Sequence, residues 1–181
     1  QNSLLVAEAQ TLTGEWEGDM TYEYTDDKTK QRKRDRFTAN MKFFQYSSSA
    51  NSLSGNGVEV DMDAKGNQQT LAFSWYVNND GNIYIKYSRS GTVFVLDSKD
   101  KREGFHLGYE SAKGCDTFYG TAYSTNTTDV MKFDFARQRP ASAKAAPGVQ
   151  TRAASQVSFG SVRQNDYANS STGAVSRLHV R

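Results

Sequence analysis

Between Leu12 and Tyr24 apolar and polar positions alternate without a slip: Leu12, Gly14, Trp16, Gly18, Met20, Tyr22 and Tyr24 on one side, Thr13, Glu15, Glu17, Asp19, Thr21, Glu23 and Thr25 on the other. A period of two predicts a long strand with one face in a core and the other in water. The pattern then recurs down the chain. Residues 37–46 point Phe37, Ala39, Met41 and Phe43 inward and change phase at Phe44 and Tyr46, which predicts a bulge near Phe43. Residues 55–63 predict a third strand with Val58, Val60 and Met62 inward. Residues 69–77 carry Leu71, Phe73, Trp75 and Val77 on one face. Asn79-Asp80-Gly81 then reads as a tight hairpin into a strand with Ile83, Ile85 and Tyr87 inward. The apolar run 92–96 is continuous, so its inner face stays open. Phe105, Leu107 and Tyr109 mark a seventh strand. Residues 117–123 mark an eighth, with either Phe118, Gly120 and Ala122 or the tyrosine side inward. Residues 128–136 form a ninth, with Met131, Phe133 and Phe135 inward.

Strands joined by turns, with no helical stretch between them, indicate a meander. Closure of a meander removes the exposed edges that invite aggregation. The expected fold is all-β: an up-and-down antiparallel barrel of eight to nine strands. Residues 1–11 are a lead-in whose Leu4, Leu5, Val6 and Ala7 suit a short helix or turn that plugs one end. Residues 25–36, TDDKTKQRKRDR, hold no apolar side chain and read as a solvated loop or a polar strand extension. The organisation is therefore 1–11 lead-in, 12–137 barrel, and 138–181 a basic low-complexity tail, in which residues 157–162 are the expected anchored part.

Composition agrees with strands: ten Tyr, ten Phe and two Trp stand against two Pro. No run approaches the ~18 apolar residues of a membrane-spanning helix. The net charge of +2 divides unevenly, with +6 on residues 137–181 and −4 on the rest. Cys115 is the single cysteine, which excludes an internal disulfide and a thiolate metal cluster. Gln1 reads as a processed start, so export is expected.

Gly14-Glu15-Trp16 at the head of the first strand, with Arg137 directly after Phe133-Asp134-Phe135-Ala136, resembles the lipocalin-like (calycin) arrangement. In that family the Trp closes one end of the barrel and an Arg from the last strand stacks over it. The resemblance assigns Trp16 and Arg137 to a structural clamp. More broadly, LTGEWEG, the strand opening Gly55-Asn56-Gly57, FSWYVNNDGNIYIKY, FHLGYE and MKFDFAR together look like the small secreted or lipid-anchored lipocalin-like proteins of Gram-negative bacteria, a group largely without assigned function. The resemblance covers residues 12–137. It implies export to the periplasm, the outer membrane or the exterior, with a lipidated Cys upstream of Gln1 as one route.

No catalytic constellation, metal site or cofactor site is expected. Glu15, Glu17, Asp19 and Glu23 form a solvated strand face with no cleft to desolvate a pair. Asp61-Met62-Asp63-Ala64-Lys65-Gly66 opens like a calcium loop, but Lys65 stands where an oxygen ligand is needed, and the segment reads as a hairpin turn. His106, His179 and Cys115 have no partner at nucleophile or metal spacing. The basic run from Lys28 to Arg36 is diluted by Asp26, Asp27 and Asp35 and lacks the interleaved aromatics of a nucleic-acid groove. Inward aromatics either fill the barrel or line a pocket. For a pocket the candidates are Tyr22, Tyr24, Phe73, Trp75, Tyr87 and Tyr109. Two functions follow: a non-enzymatic binder of a small apolar ligand at the barrel mouth, or a filled barrel that docks onto an envelope protein or a glycan.

Overall fold

The computed structural model describes residues 3–46, 51–100, 103–138 and 181. Helix α1 (Ser3–Leu12) leads into nine strands: β1 (Gly14–Thr25), β2 (Arg32–Gln45), β3 (Ser54–Met62), β4 (Gln68–Val77), β5 (Ile83–Tyr87), β6 (Val93–Leu96), β7 (Phe105–Glu110), β8 (Cys115–Ser124) and β9 (Val130–Arg137). Every pairing is antiparallel. β1 to β6 follow one another across the sheet, β9 pairs on the other edge of β1, and β8 lies beside β9. The ring closes where β6 meets β8, at Phe94 opposite Ser124 and Val95 opposite Tyr123. β7 takes the remainder of that edge of β8, from Phe105 opposite Gly120 to Glu110 opposite Cys115. The architecture is a closed eight-strand lipocalin-like barrel with one extra strand outside the ring.

The alternation of β1 is realised: Trp16, Met20 and Tyr22 are buried and Tyr24 half-buried, while Glu17 and Asp19 are exposed. Leu12 is buried too, but as the last residue of α1. Along β4, β5 and β9 the expected inner faces are buried, and in β6 the inner residues are Phe94 and Leu96. In β8 they are Phe118 and Ala122. Edge-to-face contacts knit the interior, among them Phe118 with Phe133 at 4.7 Å and Phe43 with Phe73 at 5.0 Å between ring centroids. Such pairs add about 0.5–1.5 kcal/mol each beyond their burial. The turns form as their residues dictate. Asp63 accepts hydrogen bonds from the Lys65 and Asn67 amides at 2.9 Å. Asn78 Oδ1 accepts those of Asp80 and Asn82 at 3.0 Å.

Three expectations are corrected. β2 has no bulge at Phe43: its register runs unbroken from Phe43 opposite Gly14 on one side to Gln45 opposite Gly55 on the other. Phe44 simply faces outward and Tyr46 is exposed. β3 runs in the opposite phase to the one expected, with Gly55, Gly57, Glu59 and Asp61 inward; of the three residues expected there, Val60 is buried but outside the barrel's core cluster, Val58 is half-buried and Met62 exposed. The cause is steric. Gly57 lies opposite both Phe43 and Phe73, and a Cβ there would stand 2.2 Å from Phe73 Cζ. Only glycine fits beneath those rings, and period two then carries Glu59 and Asp61 inward with it. Tyr109 is the third correction. It is 66% exposed: β7 lies outside the ring, and while Phe105 and Leu107 pack half-buried against the core, Tyr109 stands near the β7–β8 turn, opposite Asp116.

The lead-in is a helix that packs against β4 and β7. The Glu8 carboxylate lies over Gly81 of the β4–β5 turn, where a Cβ would stand 3.2 Å from its Oε1. Burial raises its carboxyl to about 7. An acid that holds its proton more tightly when folded loses stability as pH rises from its ordinary value through the folded one. This contact therefore weakens between pH 4.5 and about 7. The expected anchored segment, residues 157–162, lies outside the described residues.

Candidate functional site

At the α1 end, Trp16 is fully buried and donates from Nε1 to the Leu12 carbonyl at 2.9 Å. The Arg137 guanidinium carbon lies 4.3 Å from the Trp16 ring centroid. Arg137 Nε donates to Asp116 at 2.8 Å, Nη1 to the Thr13 carbonyl at 2.9 Å and Nη2 to the Thr11 carbonyl at 2.5 Å. The guanidinium thus collects carbonyls left over where α1 ends, at the pole of the helix dipole that favours a cation. This end of the barrel is shut by an indole and an arginine, as the resemblance implies.

A different chemistry occupies the interior between β1, β2, β3 and β5. Glu59 and Asp61 are both fully buried. Their inward direction is locked by neighbours: Glu59 stands opposite Met41 and Leu71, Asp61 opposite Ala39 and Gln69. Tyr87 Oη donates to Glu59 Oε1 at 2.6 Å, and Gln69 Nε2 to Asp61 Oδ2 at 3.0 Å. Between the carboxylates lies the guanidinium of Arg181, itself 2% exposed. Its Nη2 donates to Glu59 and, at 2.5 Å, to Asp61 Oδ2, while Nη1 faces Met20 Sδ at 3.4 Å. Three rings surround the cation, with Arg181 Cζ at 5.0 Å from the Tyr87 centroid, 5.1 Å from Tyr22 and 5.4 Å from Phe37. Distances under about 6 Å are those of cation–π attraction.

Charges in such a place are coupled. Burial pushes the Asp61 carboxyl well above the usual carboxylate range, against the pull of Arg181. For Arg181 burial works to lower the pKa, but the Asp61 and Glu59 carboxylates outweigh it and the net direction is up. Tyr87 is raised by burial and by the neighbouring Glu59, so it stays a hydrogen-bond donor. Tyr22 is likewise held protonated, by burial and by its 2.5 Å bond to Asp129. Asp129 follows the β8–β9 turn, where Arg32 reaches across to Thr128 Oγ1 at 3.1 Å and its carbonyl at 2.6 Å.

Of the six pocket candidates, Tyr22 and Tyr87 line this cation. Phe73 stands behind Tyr87 at 6.1 Å, and half-buried Tyr24 lies beside Tyr22 at 6.1 Å. Trp75 packs on Phe43, and its Nε1 donates to the Phe44 and Asn56 carbonyls at 3.0 and 3.2 Å, so its polar edge is committed to the wall. Tyr109 is outside. The pattern of apolar positions missed Glu59, Asp61, Gln69 and Arg181. The one signal for the first two was their shared parity with Gly55 and Gly57. On the outer face of β1, Glu17 and Asp19 are exposed while Glu15 and Glu23 are half-buried: Glu23 pairs with Arg34 at 3.2 Å and Lys132 at 3.8 Å, and Asn40 bridges Glu15 and Glu17. His106 stacks on Tyr119 at 5.0 Å, and half-buried Cys115 is a free thiol. Among the described residues no group of three or more His, Cys, Asp or Glu could hold a metal ion.

No protein-family model matches the chain, and no curated protein matches it. Among solved structures it is similar to lobster apocrustacyanin A1, with 13% identity over 99% of this chain and 79% of that one and a TM-score of 0.36. A likeness at that level carries no argument. The lipocalin-like fold rests instead on the strand order, the closure of β6 on β8, and the seal made by Trp16 and Arg137.

Proposed function

We propose that the protein is a non-enzymatic binding protein, active outside the cytoplasm, that holds one small ligand inside the barrel. Barrels of about eight strands are wide enough either to be filled by their own side chains or to hold one small ligand, as lipocalins do. The observation that carries the reading is the space among Tyr22, Phe37, Glu59, Asp61 and Tyr87. It is filled by Arg181, a residue of none of the strands. The nine strands therefore do not pack that volume themselves, in contrast to the ring-filled region around Phe118. A ligand confined there meets aromatic walls and a polar floor, which favours an amphipathic molecule over a purely apolar one.

The test uses N-phenyl-1-naphthylamine, a neutral aromatic fluorophore whose single N–H can donate to the polar floor, titrated into the Arg181→Met protein. One equivalent should bind with enhanced emission, and Ala39→Leu in the same background should abolish it. Ala39 is buried on the inner face of β2 opposite Asp61, so the larger side chain fills the space. A folded, monodisperse Arg181→Met protein that leaves the probe's emission unchanged overturns the reading.

A further inference from the structure

We propose that Glu59 and Asp61, ringed by Tyr22, Phe37 and Tyr87, form an exchangeable site for an organic monocation, a guanidinium or ammonium head on a short apolar tail, and that Arg181 is its intramolecular competitor. This rests on the reading that the barrel interior takes a ligand, and adds the ligand's charge class.

The argument begins with what a packed barrel needs. Filling this volume with apolar side chains would stabilise the fold at least as well as a buried ion cluster does, since desolvating charges offsets most of their mutual attraction. Glu59 and Asp61 sit on adjacent inward positions of one strand, where leucines would pack. Two carboxylates and three aromatic rings converging on one point is a combination selective for positive charge: the carboxylates supply charge-assisted hydrogen bonds and the ring faces supply cation–π attraction. A cationic side chain is seated there, so the site accepts such a head.

The seat is also incompletely used. Of the five guanidinium donors only those on Nη2 reach the carboxylates. Among the described residues Arg181 Nε and Asp61 Oδ1, both buried, have no hydrogen-bond partner. A free guanidinium can rotate to engage Asp61 through two parallel bonds, whereas Arg181 reaches that carboxylate through Nη2 alone. That difference makes Arg181 a replaceable occupant.

The test is a calorimetric titration of Arg181→Met with three probes of one shape: butylguanidinium, butylammonium and neutral butylurea. The two cations should bind one to one, about 10- to 100-fold more tightly than butylurea, the factor for a hydrogen bond to a charged group. Glu59→Gln with Asp61→Asn in the same background should erase that preference. In the unmodified chain butylguanidinium should saturate at about 10- to 100-fold higher concentration, since it must displace Arg181. That arm decides the matter if Arg181→Met fails to fold. Equal affinity for butylguanidinium and butylurea, with N-phenyl-1-naphthylamine still bound, would overturn the cation site and leave the interior-ligand reading intact. No saturable binding of any probe in either protein overturns both.

Discussion

Arg181→Met is expected to cost about 3–5 kcal/mol of folding stability near neutral pH, the usual penalty for removing one partner of a buried ion pair. The new side chain is apolar and ends about where Arg181 Nε stands, so the stem's packing is kept while the guanidinium's place among Tyr22, Phe37 and Tyr87 is vacated. What is lost is the charge that compensates two fully buried carboxylates. The effect has a pH signature. Asp61 is already raised above its ordinary value of 3.8 by burial, and Arg181 is the group that pulls it back down. Without Arg181 the folded state binds that proton still more tightly. An acid with a raised folded pKa costs nothing below its unfolded value and progressively more above it. Below the raised pKa that Asp61 has in the unmodified chain, both folded proteins hold the proton, so the deficit of Arg181→Met should be smallest at acid pH, where about 0.5–2 kcal/mol of cation–π contact is missing, and should grow as pH rises through that raised pKa. The triple variant with Glu59→Gln and Asp61→Asn should regain most of the stability at pH 7, because no charge is then left buried. Denaturant unfolding across pH reads all three. A deficit independent of pH would show that Arg181 acts through packing alone.

Trp16→Ala should be as damaging at the other end of the barrel, at about 3–5 kcal/mol, through lost burial and the cavity left behind. Three features place it at the upper end. The indole is fully buried, it packs edge-to-face on Phe118 at 5.5 Å, and it satisfies the Leu12 carbonyl where α1 stops. Its removal leaves that carbonyl without the indole donor and takes the ring from beneath the Arg137 guanidinium. Arg137→Met keeps the indole and should cost less. It forfeits about 0.5–2 kcal/mol of cation–π contact and the bonds to Asp116, Thr11 and Thr13, which exposure to water partly replaces. Loss of the helical signal before the sheet signal on heating Arg137→Met would follow, since those bonds tie α1 to β9. Equal destabilisation by the two variants would contradict the primacy of packing at this seal.

These two ends of the barrel were not equally legible in the sequence. The α1 end was readable because its chemistry obeys the binary pattern: Trp16 sits in phase with Met20 and Tyr22, and the Asp80-Gly81 turn registers β4 against β5 without long-range information. The cation site broke that pattern. On β3 the apolar residues Val58 and Met62 face outward and the acids face inward, so hydropathy alone assigns the strand upside down. What decides its phase is the absence of a Cβ at Gly57 under Phe43 and Phe73, a constraint visible only once the three strands are side by side. Tyr109 misled for a related reason. Alternation identifies a strand, but not whether that strand belongs to the closed ring. Arg181 was beyond local reasoning altogether, since 120 residues separate it from Asp61 and its surroundings in the chain carry no periodic signal. A buried charge cluster in an aromatic core is where sequence patterning fails for a physical reason: the interior there is organised around a charge rather than around apolar area.

The most direct measurement is the arginine side-chain NMR spectrum of the full chain with and without Arg181→Met. A guanidinium enclosed by Tyr22, Phe37 and Tyr87 and bonded to Glu59 and Asp61 should give N–H signals in slow exchange with water, shifted by ring currents, with cross-relaxation to those three rings. These signals should vanish in the variant and move when butylguanidinium is added to the unmodified protein. An Arg181 signal that exchanges as fast as those of exposed arginines, with no contact to the rings, would contradict the cation site at its root.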